Sequence, residues 1–203
     1  MLFVMATERK RTGARQAMIL QAARDLFFER SFAAVGVDEI GERAGITGPA
    51  IYRHFSGKDE ILSTLFDDAI DGLLEATAFN GDDPVEELEA LVRGHARFVI
   101  GERKLAGVKI REERSLAEPY QRSLRRRERR YVERWMACVE RCFPEADRQT
   151  ITTAVNVALG ALNSVAMWSP DALQGPDAPN VVADVVLRGL HVLADSQAAK
   201  SAA

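Results

Sequence analysis

The chain has 203 residues, 47% hydrophobic and 28% charged, enough for a sizeable core in one large domain or two small ones. A net charge of −3 argues against indiscriminate nucleic-acid binding. No apolar run approaches the ~20 residues that span a bilayer, and the opening Met1–Met5 is too short for a secretory signal, so a cytoplasmic protein with no membrane partner is expected.

Charge is unevenly spread. Met1 to Lys58 holds nine Lys or Arg against six Asp or Glu, a balance of +3, whereas the remainder holds eighteen against twenty-four, a balance of −6. A small phosphate-seeking module on a larger acidic body has this distribution.

In chain order, Ile19, Ala22, Ala23, Leu26 and Phe27 recur at helical spacing and predict a helix over 13–30. Val37, Ile40, Gly41 and Ala44 predict a short second helix, with Gly45 placed for a left-handed C-cap. After the turn 45–47, Gly48-Pro49-Ala50 opens a short third helix, since proline suits a first helical turn, with Ile51 and Phe55 on its apolar side. A longer fourth helix from Lys58 carries Ile61, Leu62, Leu65, Phe66, Ile70, Leu73 and Leu74 toward the break at Asn80–Pro84. Further helices are predicted near 84–102, 105–114, 117–143, 146–168 and 178–195, with three of the seven prolines in the loop before the last one. No segment alternates as a strand would, so the chain is expected to be all-α, with an N-terminal domain over 1–65 and a C-terminal domain over 66–203.

Two short helices joined by a glycine turn form a helix-turn-helix. Ile40, Ala44, Ile46 and Ile51 make its apolar seam, which leaves Thr47, Gly48, Pro49, Ala50, Tyr52, Arg53 and His54 near the edge that enters a major groove. Thr47 and Ala50 suit a thymine methyl, Arg53 suits guanine O6 and N7, Tyr52 and His54 suit phosphate or base-edge contacts, and Lys58 adds a phosphate partner. Arg9-Lys10-Arg11 with Arg15 forms either a basic arm on the DNA backbone or a solvated terminus.

The ordered set Ile19-Leu20-x-Ala22-Ala23-x-x-Leu26-Phe27, Ile40-x-x-x-Ala44-Gly45-Ile46 and Ile51-Tyr52-Arg53-His54-Phe55-x-x-Lys58-x-x-Ile61-Leu62 resembles the TetR-family DNA-binding domain over about Arg15 to Leu65. The resemblance implies an all-helical homodimer built on the last two helices. It also implies repression at a pseudo-palindromic DNA operator and release when a small molecule enters the C-terminal domain. Two positions depart from the pattern: Ser31 stands where a glycine usually closes the first helix, and Gly36 where Ser or Thr usually caps the second. A Ser at positive φ costs on the order of 1 kcal/mol, and Gly at an N-cap loses a few tenths against Ser.

The last two helices are unusually apolar, with Val155, Val157, Leu159, Leu162, Val165 and Met167 in one, and Val181, Val182, Val185, Val186, Leu187, Leu190, Val192 and Leu193 in the other. They need burial on more than one side, which a symmetry mate would supply, with Gly160 and Gly189 permitting close approach. For an effector, the groups that interrupt apolar faces are His95, Phe98, Tyr120, Trp135, Asn156 and Asn163. The aromatics also fit a plain core, and each Asn fits a ligand contact, a dimer contact or a bond to a neighbouring helix. The run Arg125–Arg130, interspersed with Glu113, Glu118, Glu128 and Glu133, reads as a salt-bridged exposed face, with the phosphates of an acyl-CoA, or another anionic lipid, as the competing partner.

Other classes fit less well. Cys138 and Cys142, four apart with no histidine nearby, read as buried, inert thiols and suggest neither a disulfide framework nor a metal site. There is no glycine-rich phosphate loop after a strand, no His-Glu-x-x-His and no nucleophile elbow, so no enzyme, catalytic residue or cofactor is expected. A structural bundle would not explain the 47–58 motif. An activator or a nucleoid-type binder would keep that motif and change its consequence.

Overall fold

The structure is a computed structural model that describes residues 2–201, with side chains described from 13 to 194. The described residues form α1 (Leu2–Arg30), α2 (Val37–Arg43), α3 (Gly48–Ile51), α4 (Lys58–Ala76), α5 (Pro84–Gly101), α6 (Arg103–Glu112), α7 (Glu118–Cys142), α8 (Arg148–Ser164) and α9 (Ala178–Ser201), with short 3₁₀ turns at Glu113–Ser115, Val165–Met167 and Pro170–Leu173 and no strand. The first helix begins at Leu2, well before the expected start near Gly13. The side chains of Arg9, Lys10 and Arg11 lie outside the described residues.

The chain divides into two compact units, Met1–Ala69 with Gly107–Leu124, and Ile70–Ala106 with Arg125–Ala203. The first division falls inside α4, and Gly107–Leu124 joins the unit that holds the helix-turn-helix.

Local chemistry sets the helix ends in the first unit. Ser31 closes α1 at φ 82°, and its N–H donates to Phe27 O at 3.1 Å, a single-bond left-handed cap. Arg111 donates to the freed Phe28 carbonyl at 2.8 Å and lies 4.9 Å from the centre of the Phe28 ring. Gly45, at φ 69°, ends α2 with two bonds, Gly45 N to Glu42 O at 3.1 Å and Ile46 N to Gly41 O at 2.9 Å, which is the Schellman pattern. At the other end of α2, the Glu39 carboxylate accepts from Gly36 N–H at 2.9 Å, half of a capping box whose reciprocal hydroxyl is missing.

In the second unit, α5 packs on α8 and α9, and α8 packs on α9. Asp83 caps α5 through Val85 N at 2.7 Å with Pro84 at its first position, and Asp147 caps α8 through Thr150 N at 2.9 Å. The core joins Leu91, Val92 and Ala96 of α5 to Trp135 and Val139 of α7, Val155 and Leu162 of α8, and Val186 and Leu190 of α9.

One expectation needs correction. Arg148–Met167 is a helical stretch long and apolar enough, at mean hydropathy 1.3, to cross a membrane by length and composition alone. Its apolarity comes from two faces. Ile151, Val155, Ala158 and Leu162 are buried in the core, while Val157 and Met167 are exposed.

Candidate nucleic-acid interface and buried polar cluster

The helix-turn-helix is held by its smallest residues. Ile40 and Ile51 are fully buried and Ala44 nearly so, while Ile46 is half-buried at the edge of the seam. A Cβ on Gly41 would stand 2.9 Å from the Gly48 backbone nitrogen and 3.0 Å from Ile46 O, so α2 and α3 approach as closely as backbone allows. Gly48 is therefore interior. It was expected at the groove-facing edge, but it is buried against Asp38 and Gly41. Thr47, Pro49, Tyr52 and Arg53 are exposed, Tyr52 at 60%, and Ala50 is half-buried. His54 is half-buried, with its Nδ1 unpartnered.

Lys58 opens α4 as expected and has partners within the chain. Its ammonium donates to Phe32 O at 2.7 Å and Val35 O at 2.9 Å and lies 4.3 Å from the centre of the Phe32 ring. Nearby, Arg30 pairs with Glu39, and Arg43 pairs with Glu29 at 3.2 Å. The Gly36 N–H, and then Arg30, hold the Glu39 carboxyl below its ordinary pKa.

In the second unit, three of the six sensing candidates come together. His95 is buried, with Nδ1 3.1 Å from the Tyr131 hydroxyl and Nε2 3.2 Å from Asn163 Oδ1. An amide oxygen only accepts, so with the amide in this orientation His95 carries its proton on Nε2, and the Tyr131 hydroxyl donates to Nδ1. Trp135 completes an edge-on aromatic group, 6.2 Å from His95 and 6.4 Å from Tyr131, and its buried indole nitrogen makes no hydrogen bond. Burial pushes the Tyr131 phenol up to about 12. The sequence reading missed Tyr131. Its four-residue spacing to Trp135 on one helix was the available signal.

The other candidates lie elsewhere. Phe98 is half-buried, its ring standing where a Cβ on Gly72 would fall at 2.7 Å, and it packs on a separate cluster of Val99, Ala106, Val165 and Ala166. Tyr120 belongs to the first compact unit. Asn156 is exposed, with its amide bonded back to Thr152 O at 2.8 Å. A separate open cavity of about 330 Å³ is walled by Val85, Leu88, Glu89, Cys142, Phe143, Leu187 and His191.

The arginine run is mixed in its contacts. Arg127 pairs with Asp71, and Glu118 stands 3.8 Å from Arg122, while Arg126, Arg129 and Arg130 are exposed. Both cysteines direct their sulfurs to Pro84 O, at 3.4 and 3.1 Å, and burial pushes both thiols up, that of Cys138 to about 12. Such thiols form little thiolate and react slowly.

An all-α chain whose first unit presents a short exposed helix behind a glycine-clamped turn falls in the helix-turn-helix class of DNA-binding proteins. Residues 19–65 match the model of bacterial regulatory proteins of the tetR family, and residues 81–190 match the tetracyclin repressor-like C-terminal domain. The chain belongs to the TetR family. The HTH-type transcriptional activator FasR of Mycolicibacterium smegmatis is 34% identical over 89 residues, which cover 42% of this chain and 40% of that protein. The HTH-type transcriptional repressor Rv3405c of Mycobacterium tuberculosis is 32% identical over 98 residues, 46% of this chain and 51% of that protein. The matches thus span about half or less of these relatives' length. Among solved structures, the TetR-family regulator PfmR from Thermus thermophilus superposes with a TM-score of 0.72 at 27% identity, covering 84% of this chain and 94% of that one. AibR in complex with isovaleryl coenzyme A and operator DNA superposes at 0.73 with 20% identity, covering 85% and 96%, a likeness of fold.

Proposed function

We propose that the chain is a sequence-specific transcriptional repressor whose two copies read a pseudo-palindromic operator and leave it when a small molecule binds. The carrying observation is the pattern on α3, with Gly48 and Ile51 locked inside and Thr47, Pro49, Tyr52 and Arg53 outside. An exposed Arg beside small residues suits bidentate reading of guanine in a major groove, and Thr47 and Ala50 suit a thymine methyl. Tyr52 and the exposed edge of His54 suit phosphate contacts. DNA reading is assigned to residues 1–65, and sensing and pairing to 66–203, acting in the cytoplasm where the nucleoid is.

Pairing uses the exposed faces of α8 and α9, which carry Val157, Val181, Val185 and Val192. Sensing uses the second unit, where the buried His95, Tyr131 and Trp135, with the exposed Asn163 bonded to His95, fit an effector that is largely apolar with a few hydrogen-bonding atoms. An acyl-CoA is the effector to try first, because AibR is described with isovaleryl coenzyme A and this chain has exposed arginines at Arg126, Arg129 and Arg130 for phosphates. The effector must favour a conformation whose two α3 segments no longer match successive grooves, and α4, continuous from Lys58 to Ala76, is the element placed to carry that bias. Activation is the second reading, favoured by the name of the M. smegmatis relative.

Selection of duplexes from a random-sequence pool by the full-length protein tests the first part. Two inverted half-sites about one helical turn or more apart should be enriched, and Arg53→Ala should relax one base position in each, a cost of about 1–3 kcal/mol. Enrichment of no sequence would end the proposal. Release from the selected operator by isovaleryl-CoA and longer acyl-CoAs tests the second part.

A further inference from the structure

The loop between α1 and α2 has few bonds of its own. Ser31 turns it at φ 82°, and a backbone bond from Val35 N to Phe32 O, long at 3.4 Å, crosses the turn. Cations at both ends supply more. Arg30 donates to Ala34 O at 3.1 Å and pairs with Glu39, which in turn accepts from Gly36 N–H. From the opposite side Lys58, the first residue of α4, donates to Phe32 O and Val35 O and sits over the Phe32 ring, which itself meets Phe27 edge-on at 5.3 Å.

A lysine ammonium has three donors. Two of those on Lys58 are committed to part-buried carbonyls, and its charge is further held by a ring face. Swinging the ammonium away from this position toward a phosphate would break both bonds and leave those carbonyls unpaired, so only its third donor is left for any other partner. The same loop sets where α2 starts, and α2 carries α3 rigidly through the Gly41–Gly48 contact. Resting on the proposal that α3 reads DNA, we infer that Lys58 is a positioning residue for that reading. It fixes the angle at which α2 and α3 leave the α1–α4 scaffold, and it does not contact phosphate.

The experiment compares full-length wild type and Lys58→Met on the operator that wild type enriches from a random pool and on a random duplex of equal length. Measurements are made across a salt series at a temperature where circular dichroism shows both proteins folded. Positioning predicts a loss of roughly tenfold or more on the operator, with random-duplex affinity and its log–log salt slope unchanged, so discrimination collapses. Equal losses on both duplexes, with the salt slope reduced by about 0.9 for each contact removed, would identify a phosphate contact and overturn the inference. An unchanged ratio with a lower melting temperature would overturn it too, leaving Lys58 a stability role alone.

Should Lys58→Met not fold, the wild type decides by amine-acylation footprinting read by mass spectrometry. Lys58 should be acylated slowly in the free protein, more slowly than exposed Lys104, and operator should add no protection. Rapid acylation in the free protein would overturn the inference, whether or not operator then protects the amine. Failure of the DNA-reading proposal is separately visible, as wild type enriching no sequence.

Discussion

Gly41 and Gly48 face one another across the helix-turn-helix with no room for a methyl group, since a Cβ on Gly41 would lie 2.9 Å from the Gly48 backbone nitrogen and 3.1 Å from its Cα. The obstruction on that side is backbone. A Cβ on Gly48 would instead strike mainly the Asp38 carboxylate, a side-chain end that can turn away, although Asp38 Cα stands at 3.2 Å. Gly41→Ala is therefore expected to cost about 1–3 kcal/mol and to reduce operator affinity with it, and Gly48→Ala to cost less. Urea unfolding and DNA titration of both variants check the order, and a larger loss in Gly48→Ala would contradict this account of the clamp.

Ser31 and Gly36 have exchanged the residue types their backbone angles favour. Ser31 holds φ 82°, where glycine has no Cβ penalty, while Gly36 holds φ −92° and ψ 160°, an extended N-cap geometry that serine adopts freely. A Cβ on Gly36 would meet only Glu39 Oε2, at 3.7 Å. Ser31→Gly should add on the order of 1 kcal/mol and Gly36→Ser a few tenths or more, the latter by completing the capping box with Glu39. For a chain of this size 1 kcal/mol moves the thermal midpoint by about 2–4 °C, so calorimetry resolves the larger gain. A drop in the midpoint of Ser31→Gly would show that the serine hydroxyl matters more than the backbone angle.

These two positions show what the sequence carries. Cap positions and seams depend on residues close in the chain, so the left-handed turn at Gly45 was legible from spacing, while the strain at Ser31 was legible only against the family pattern that has a glycine there. Gly48 was misplaced because periodicity on a helix of four residues cannot define an inner and an outer face. The contacts of Lys58 within the chain were not legible for a different reason: its partners, Phe32 O and Val35 O, are backbone atoms more than twenty residues away. Of the cluster proposed to sense an effector, His95, Trp135 and Asn163 were named as interruptions of apolar faces. Asn156 satisfied the same test and Phe98 was named as the neighbour of His95, yet Phe98 fills the space beside Gly72 and Asn156 bonds to its own helix.

Alkaline pH should weaken the fold through Tyr131. Its phenol is raised from 10.0 to about 12 by burial, so above pH 10 the unfolded chain releases a proton that the folded chain retains. Stability from this source is complete below pH 10 and declines as the pH climbs through 12, by on the order of 2–3 kcal/mol in all. Cys138, raised from 9.0 to about 12, adds a decline of the same sign that starts lower. Tyr131→Phe should abolish the tyrosine share and, by leaving His95 Nδ1 without a donor, cost about 1–3 kcal/mol at neutral pH. Urea titrations at pH 8 and pH 11 measure both effects. Identical pH dependence in wild type and variant would sink the assignment.

Val157 and Val185 are 66% and 67% exposed on α8 and α9, two helices that pack on each other within one protomer and turn further apolar residues, among them Val181 and Val192, to solvent. Gly160 and Gly189 lie on the same helices with nothing within 4 Å of an added Cβ, so within the protomer a larger residue there meets open space. If a second copy covers this face, the two kinds of site should respond alike although neither is packed in the single chain. Val185→Glu would bury a charge without a partner, and Gly189→Leu would hold the copies apart where close approach is needed. Both variants are expected to keep their helix content, to sediment as monomers, and to lose at least a hundredfold in operator affinity, since each monomer grips one half-site. A Gly189→Leu protein that remains dimeric would remove this face from the interface. A monomeric one that binds the operator at full strength would separate DNA reading from pairing altogether.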